Sequence, residues 1–408
     1  MFSKCLIKFF LNNFKNIFNI IINIFYIKNK YKREFNQKYI VLLSSQAIGP
    51  MAQFAELAFR HCRNYNINLS DVIFISPSSI SNQQLFKMIN NKVNIVVDDK
   101  LYNTIQNGGY LYLKYLGIYI MPIRHENGLV YSPNQETHFS FTKEEEEFGS
   151  KLLKKLDIQP NDKIVIVHNK DDYYWAHEKG QVKNHDIYRN SNFETLYESI
   201  NALQKQNYKV VRIGHYKNEK NHNYISLNDL SKNEKDFMDI YINYKATFSI
   251  TGDSGIALIS YIFKTPLIMH NCIPMGESPI FENAIIIPKI MKDKNNNILS
   301  LKNILSKKQL ICYNSFGFYI LKTISAEKFQ NIQWYINNEI TVQDNSENEI
   351  LNAVNEMVLF VNNELILNNS ELEIQSKFKK TFPLNHPMRH FIGYISPSHL
   401  NKYNIVKD

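Results

Sequence analysis

Residues 247–263 read TFSITGDSGIALISYIF and contain one complete strand–turn–helix unit. The apolar run at 247–250 predicts a buried strand, residues 252–255 form a turn, and 256–263 predict a helix. A strand that leads directly into a helix is typical of a parallel α/β sheet. In such sheets ligands bind outside the carboxyl ends of the strands, so this stretch predicts both a fold class and a site.

The turn at 252–255 is the sharpest candidate for a phosphate site. Backbone N–H groups at a helix N-terminus are preset donors for phosphate, and glycine permits a close approach. The residues predicted to bind a ligand here are Gly252, Asp253, Ser254 and Gly255. The alternative is a plain N-cap, in which Asp253 or Ser254 only caps the helix.

The same alternation of strands and helices extends in both directions from this unit. Apolar runs at 163–168 and 208–214 alternate with helical patterns, and an earlier series begins at residue 39. We therefore predict two Rossmann-like α/β domains that face each other across a cleft. The predicted division is an N-terminal amphipathic helix at 1–36, domains at 37–155 and 156–325, and a helical segment at 326–408 that packs on both.

Helix starts are marked by capping residues. Thr142 with Glu145, and Ser231 with Glu234, match the capping-box pattern Ser/Thr-x-x-Glu. Ser81 is predicted to cap a helix of the first domain.

Positive charge is concentrated at the N-terminus. Of the net charge of +9, residues 1–38 supply eight basic residues against one acidic residue, which argues against a nucleic-acid partner for the body. Residues 6–27 place Lys and Asn on one helical face and Phe and Ile on the other, as in helices that lie on anionic membranes. We predict a cytoplasmic protein held peripherally at the inner membrane face through 1–36. A self-packed helix and a true membrane span are the alternatives.

Several enzyme classes are disfavoured by missing motifs. The four cysteines are isolated, which argues against zinc and disulfides and fits a reducing cytoplasm. The dinucleotide, P-loop and G-x-S-x-G patterns do not occur. The sequence therefore predicts no metal and no cofactor.

Further candidates lie in loops that follow predicted strands. The residues added to the candidate phosphate site are His168, Arg189, Arg212 and Gly214. A guanidinium there could bind a diphosphate through two hydrogen bonds. The carboxylates considered as catalytic bases are Asp172 and Asp186. The residues predicted on the acceptor side of the first domain are Ser45, Gln46 and Gly49.

These segments resemble a family of bacterial glycosyltransferases found with surface-polysaccharide genes. The matching blocks, in order, are 48–52 with 59–60, 168–172 with 188–191, 211–214, 250–255, 287–289 and 395–398. They resemble the family patterns H-x-R-D…Y-R-N-S, V-[IV]-R-[ML]-G and I-G-[TD]-S-[SG]-G. Two positions depart: Pro50 stands where the family has His, and Lys170 where it has Arg.

The resemblance implies a GT-B fold and transfer of a sugar from a nucleotide sugar to a surface glycan or lipid-linked acceptor. The absence of D-x-D near a strand end favours a metal-independent enzyme. Two alternatives remain: a nucleotide-sugar 2-epimerase of the same architecture, and a catalytically inactive scaffold of a polysaccharide assembly complex.

The N-terminal charge predicts a salt-sensitive association with membranes. The full-length protein should sediment with vesicles that contain anionic lipid, and high salt should release part of it because the Debye length falls to about 3 Å at 1 M. A chain that begins at Gln37 should stay in the supernatant. Full-length protein that also stays in the supernatant would show a self-packed helix, and extraction by detergent alone would show a membrane span.

Overall fold

The computed structural model describes two compact units, at 1–129 and 130–408. The described residues are 21–22, 25, 37–106, 113, 117–121, 137–173, 176, 180, 184–214, 216, 223–273, 283–306, 332–382, 384, 387–403 and 405–406, with only the backbone of 184–186, 387 and 390. The predicted N-terminal helix lies outside them except for Ile21, Ile22 and Phe25, which are helical and exposed. Within these ranges, no helix is long and apolar enough to span a bilayer.

Unit 1 contains a four-stranded parallel sheet in the order β3-β2-β1-β4. Its strands are β1 (Tyr39–Leu42), β2 (Val72–Ser76), β3 (Asn94–Val97) and β4 (Tyr119–Ile120). Its helices are α1 (Ile48–Asn64), α2 (Gln83–Asn90) and α3 (Asp99–Thr104). The predicted cap Ser81 is wrong by one residue, because the Asn82 side chain accepts the N–H of Leu85 and caps α2 instead.

Unit 2 contains a seven-stranded parallel sheet in the order β13-β10-β9-β8-β5-β6-β7. Its strands are β5 (Lys163–His168), β6 (Tyr208–Arg212), β7 (Ile225–Ser226), β8 (Phe248–Thr251), β9 (Leu267–Cys272), β10 (Ala284–Pro288) and β13 (Tyr394–Ile395). A separate antiparallel pair is β11 (Ile290–Lys292) with β12 (Thr341–Gln343). The prediction of a mixed α/β protein with parallel sheets is confirmed.

The helices of unit 2 connect and cover these strands. They are α4 (Lys143–Lys155), α5 (Tyr197–Lys205), α6 (Lys232–Lys245), α7 (Gly255–Phe263), α8 (Leu301–Ser306), α9 (Ile332–Asn337), α10 (Glu347–Val361), α11 (Asn369–Thr381) and α12 (Pro397–Tyr403). Both predicted capping boxes are present, at the starts of α4 and α6. The helix predicted over 192–206 begins instead as a 3₁₀ turn, Phe193–Leu196, which continues into α5.

The C-terminal segment belongs to the core of unit 2. Helix α10 buries Ile350, Ala353, Val354 and Met357 against α5 and strands β8 to β10. Strand β13 pairs with β10 and extends the sheet. Strand β13 thus joins the sheet from within the segment 326–408, which the sequence predicted as helical and packed on both domains. Helix α4, placed in the first domain by the sequence, packs on α6.

The free edge of β13 is closed by a side chain. Gln375 of α11 is buried, and its amide donates to the carbonyl of Ile395 at 2.6 Å and accepts the Ile395 N–H at 3.0 Å. One amide group thus satisfies both main-chain polar groups that Ile395 turns away from β10.

Gly149 marks the contact between α4 and α6. A Cβ at this position would overlap the ring of Tyr241, which is fully buried. We expect Gly149→Ala to destabilise the protein, since overpacking costs about 1–3 kcal/mol and outweighs the gain of about 1 kcal/mol in helix propensity. Exposed Glu147 on the same helix gives the control, Glu147→Ala, which should change stability by less than about 0.5 kcal/mol. Urea unfolding measures both, and equal stability of Gly149→Ala and wild type would contradict the packing.

Candidate functional site in unit 2

The order of the strands places a topological switch point between β5 and β8. From β5 the chain proceeds to β6 and β7 on one side, then returns to β8 and continues to β9 and β10 on the other. Loops that leave β5 and β8 therefore run in opposite directions and open a crevice at their carboxyl ends, where ligands bind in open α/β sheets. The predicted turn at 252–255 and the loop at 169–172 both lie at this point.

The turn after β8 is held against the loop after β5. The Gly252 N–H donates to the carbonyl of His168 at 2.9 Å. A Cβ on Gly252 would lie 2.8 Å from the backbone nitrogen of Lys170, so no other residue fits there. Ser254 is the N-cap of α7 and accepts the N–H of Ile256 at 3.3 Å. Ser254 therefore caps the helix, and phosphate binding at this turn stays a prediction.

The short segment that contains Arg189 and Asn190 brings three cations together, namely Arg189 itself and two lysines that bind Asn190. Arg189 donates to Asp253, at 3.1 Å to Oδ1 and 2.9 Å to the main-chain oxygen. The ammonium of Lys170 donates to the side-chain oxygen of Asn190 at 3.3 Å, and that of Lys289 to its carbonyl at 2.6 Å. Three cations therefore lie near the N-terminus of α7, where the helix dipole also favours an anion, and the carboxylate of Asp253 already pairs with one of them.

Lys289 is a site residue that the sequence analysis did not assign. It belongs to the matching block at 287–289, but nothing in that block indicates a role. Its side chain is buried, and its ammonium also contacts the carboxylate of Asp344 at 2.6 Å. Burial lowers the pKa of Lys289, and the carboxylates of Asp344 and Asp253 oppose this shift.

His168 and Gly214 form one contact at the ends of β5 and β6. Gly214 has φ of +93°, and a Cβ there would lie 2.8 Å from Nδ1 of His168. The Nδ1–H donates to the carbonyl of Ile213 at 3.1 Å, which assigns the lone pair to Nε2. Burial lowers the pKa of His168 to about 3, and the charges of Arg212 and Lys170 contribute to that shift. His168 is therefore neutral at pH 7.

Arg212 is enclosed by aromatic rings. Its guanidinium carbon lies 3.5 Å from the ring centroid of Phe193 and 4.0 Å from that of Tyr216, and Nη1 donates to the hydroxyl of Tyr224 at 2.7 Å. The residue is 3% exposed. The predicted contact with a diphosphate is therefore not open to solvent in this structure, and Arg212 packs as part of the core beside His168.

The two candidate bases differ in what the structure describes. One carboxylate oxygen of Asp172, Oδ1, is buried and meets no donor within the described ranges. Its neighbour Asp171 accepts the N–H of Tyr173 at 3.0 Å, and burial raises the pKa of Asp171. The backbone of Asp186 lies in the 3₁₀ helix Asn184–Arg189, but its side chain lies outside the described residues.

The predicted acceptor residues lie in unit 1, at the carboxyl end of β1. The Ser45 hydroxyl donates to the carbonyl of Ser79 at 2.9 Å and accepts from Ser76 at 2.8 Å, so it ties two loops together. Gln46 is exposed, whereas Gly49 is buried in the first turn of α1. Only Gln46 of the three presents its side chain to solvent.

Among the side chains of the described ranges, no three His, Cys, Asp or Glu residues lie close enough together to hold a metal ion.

Comparison with known proteins gives distant structural similarity. No family model and no curated protein matches the chain. The ADP-heptose LPS heptosyltransferase II of E. coli matches at 11% identity and TM-score 0.41, over 62% of this chain and 91% of the other. A family 9 glycosyl transferase from Veillonella parvula matches at 10% identity and TM-score 0.41, over 61% and 85%. The dodecameric iron-containing heptosyltransferase TibC of E. coli matches at 9% identity and TM-score 0.38, over 80% and 77%.

The depressed pKa of His168 predicts a loss of stability in acid. Between its folded pKa of about 3 and its ordinary value of 6.5, the unfolded chain binds a proton that the folded chain excludes. One such group costs about 2 kcal/mol between pH 7 and pH 5. His168→Asn keeps an N–H for the Ile213 carbonyl and removes this titration. The stability advantage of wild type over this variant, measured by urea unfolding, should therefore shrink by about 2 kcal/mol at pH 5. An advantage that does not change with pH would mean that His168 titrates normally.

Proposed function

We propose that the protein is a glycosyltransferase that binds the diphosphate of a nucleotide-sugar donor at the switch point of unit 2. The observation that carries this proposal is the N-terminus of α7 beside three cations, Lys170, Arg189 and Lys289, at the carboxyl edge of a parallel sheet. Helix N-termini and cations together bind phosphate groups. The resemblance of the blocks at 168–172, 188–191 and 250–255 to a glycosyltransferase family points to the same site.

Two hydrogen-bond acceptor atoms at this edge of the sheet suit a sugar ligand better than a plain polyphosphate. Oδ1 of Asp172 and Oδ2 of Asp253 are buried, and neither meets a donor among the described residues. A buried carboxylate oxygen without a donor is costly, and phosphate oxygens bring no donor. Sugar and ribose hydroxyls do, so the site suits a ligand that combines an anion with hydroxyl groups.

In the proposed reaction the bond between the sugar and the diphosphate breaks, and the acceptor hydroxyl attacks the anomeric carbon. Negative charge then grows on the leaving diphosphate, where preorganised N–H groups and cations stabilise it most. In this proposal the cations stabilise the leaving diphosphate as a metal ion would. We propose Asp172 or Asp186 as the base that accepts the hydroxyl proton. The acceptor is a glycan or lipid-linked sugar, met at the membrane surface through residues 1–36.

The two alternative functions, a nucleotide-sugar 2-epimerase and an inactive scaffold, can be distinguished from a transferase by their products in one assay. A transferase releases nucleoside diphosphate from a nucleotide sugar when an acceptor is present. A 2-epimerase changes the configuration at C2 of the sugar without an acceptor. A scaffold binds the nucleotide and does neither. Analysis of the products by NMR separates all three.

Gly255 permits the removal of one backbone donor from the site. It is the first helical residue of α7, where proline is well tolerated, and Ser254 before it has the extended conformation that proline requires. Gly255→Pro should therefore leave the melting temperature nearly unchanged and weaken nucleoside diphosphate binding. A lost hydrogen bond to a charged group costs about 1.5–3 kcal/mol.

Titration calorimetry with ADP, GDP, UDP, CDP and dTDP measures this effect. Gly255→Ala, which keeps the N–H, is the matched control and should bind nucleoside diphosphate more tightly than Gly255→Pro by about 1.5–3 kcal/mol. Equal affinity of the proline and alanine variants would remove the helix N-terminus from the site. If no nucleotide in the panel binds wild type, the proposed function fails.

A further inference from the structure

Lys289 and its partner Asp344 differ sharply in exposure. The side chain of Lys289 is 3% exposed, and that of Asp344 is 42% exposed. The ammonium has three N–H donors, of which two meet Asp344 Oδ1 and the carbonyl of Asn190, both at 2.6 Å. The third meets no acceptor in the part of the chain that the structure describes. Lys289 is thus a buried cation with an exposed counter-ion and a spare donor.

The cation faces the candidate donor site. Its acceptor Asn190 follows Arg189, which holds Asp253 in the turn before α7. The carboxylate of Asp253 acts on Lys289 electrostatically, although no hydrogen bond joins the two. A ligand phosphate at the start of α7 therefore lies within the electrostatic reach of the ammonium.

The difference in exposure decides which partner can leave. A buried charge that loses its counter-ion is destabilised, so Lys289 binds a replacement anion more strongly when Asp344 is absent. A half-exposed carboxylate returns to water at little cost, because part of its hydration is already present. Asp344 is therefore the replaceable member of the pair.

We propose that Lys289 is a phosphate ligand of the donor site and that Asp344 is the counter-ion which the phosphate displaces. The ligand class is a nucleoside diphosphate or its sugar ester, so this inference rests on the proposed function. The exchange is not covalent: the hydrogen bond between Lys289 and Asp344 breaks, one between Lys289 and a phosphate oxygen forms, and no proton is transferred.

Asp344→Asn tests the proposal through a gain of affinity. The variant removes the competing charge and leaves Lys289 in place. Calorimetry with ADP, UDP and inorganic pyrophosphate should show affinity about tenfold higher than in wild type, which equals about 1.4 kcal/mol. If Asp344 only braces the fold, its loss leaves affinity unchanged or weakens it.

Glu339→Gln is the matched control. Glu339 pairs with Lys294 at 3.5 Å, and both side chains are well exposed, so the variant changes the net charge equally without touching Lys289. Its affinity should equal that of wild type. An equal gain in both variants would mean that net charge alone attracts the nucleotide, and it would overturn the proposal.

Lys289→Met, combined with Asp344→Asn, gives a double-mutant cycle. Lys289→Met alone should weaken binding by at least about tenfold, and Asp344→Asn should have no effect on affinity in its background, because Asp344 acts through Lys289. If Lys289→Met does not fold, Asp344→Asn alone decides. When wild type binds a nucleotide but Asp344→Asn does not tighten it, this inference fails and the proposed function stands. When wild type binds none of the probes, both fail.

Discussion

Two main-chain segments approach closely at the carboxyl edge of the larger sheet, and this contact sets the geometry of the candidate site. Gly252 donates to the carbonyl of His168 and passes so near the amide of Lys170 that no side chain fits between them. This contact joins the loops of β5 and β8, the two strands on either side of the switch point. The N-terminus of α7 and the cation Lys170 therefore share one rigid attachment.

Hydrogen bonds between residues far apart in the sequence hold the neighbouring loop, which contains Arg189, in position. Asn271 in β9 and Asn345 before α10 each accept the other's backbone N–H, at 2.7 and 2.6 Å. The neighbouring Asp344 reaches Lys289, and Lys289 reaches the carbonyl of Asn190. The C-terminal segment thus fixes the position of the loop that holds Arg189. Polar contacts of this kind, rather than apolar packing alone, connect the core to the site.

Much of the fold follows from local patterns in the sequence. The apolar run at 163–168 gave the bounds of β5, and the capping boxes at Thr142 and Ser231 gave the starts of α4 and α6. The turn at 252–255 lies where the strand rule places it. These features depend on residues within a few positions of one another, so periodicity and capping chemistry are sufficient to find them.

The remaining features depend on contacts between distant residues. Strand β13 has two residues, too few for any alternation, and only its pairing with β10 defines it. A charged residue at a strand end can face solvent or the core, and the rings of Phe193 and Tyr216 that enclose Arg212 come from elements on either side of it. Lys289 was missed because its partners, Asp344 and Asn190, are 55 and 99 positions away.

Gln375 has a consequence for how the protein meets copies of itself. An unsatisfied strand edge is a template on which another chain can add a strand and begin to aggregate. The Gln375 amide occupies both outward-facing main-chain groups of Ile395, as a residue of a neighbouring strand would. A single side chain cannot be extended into a further strand. The last strand in the sequence thus lies beside a side chain that blocks its outer edge, so Ile395 offers no polar main-chain group to another copy of the protein.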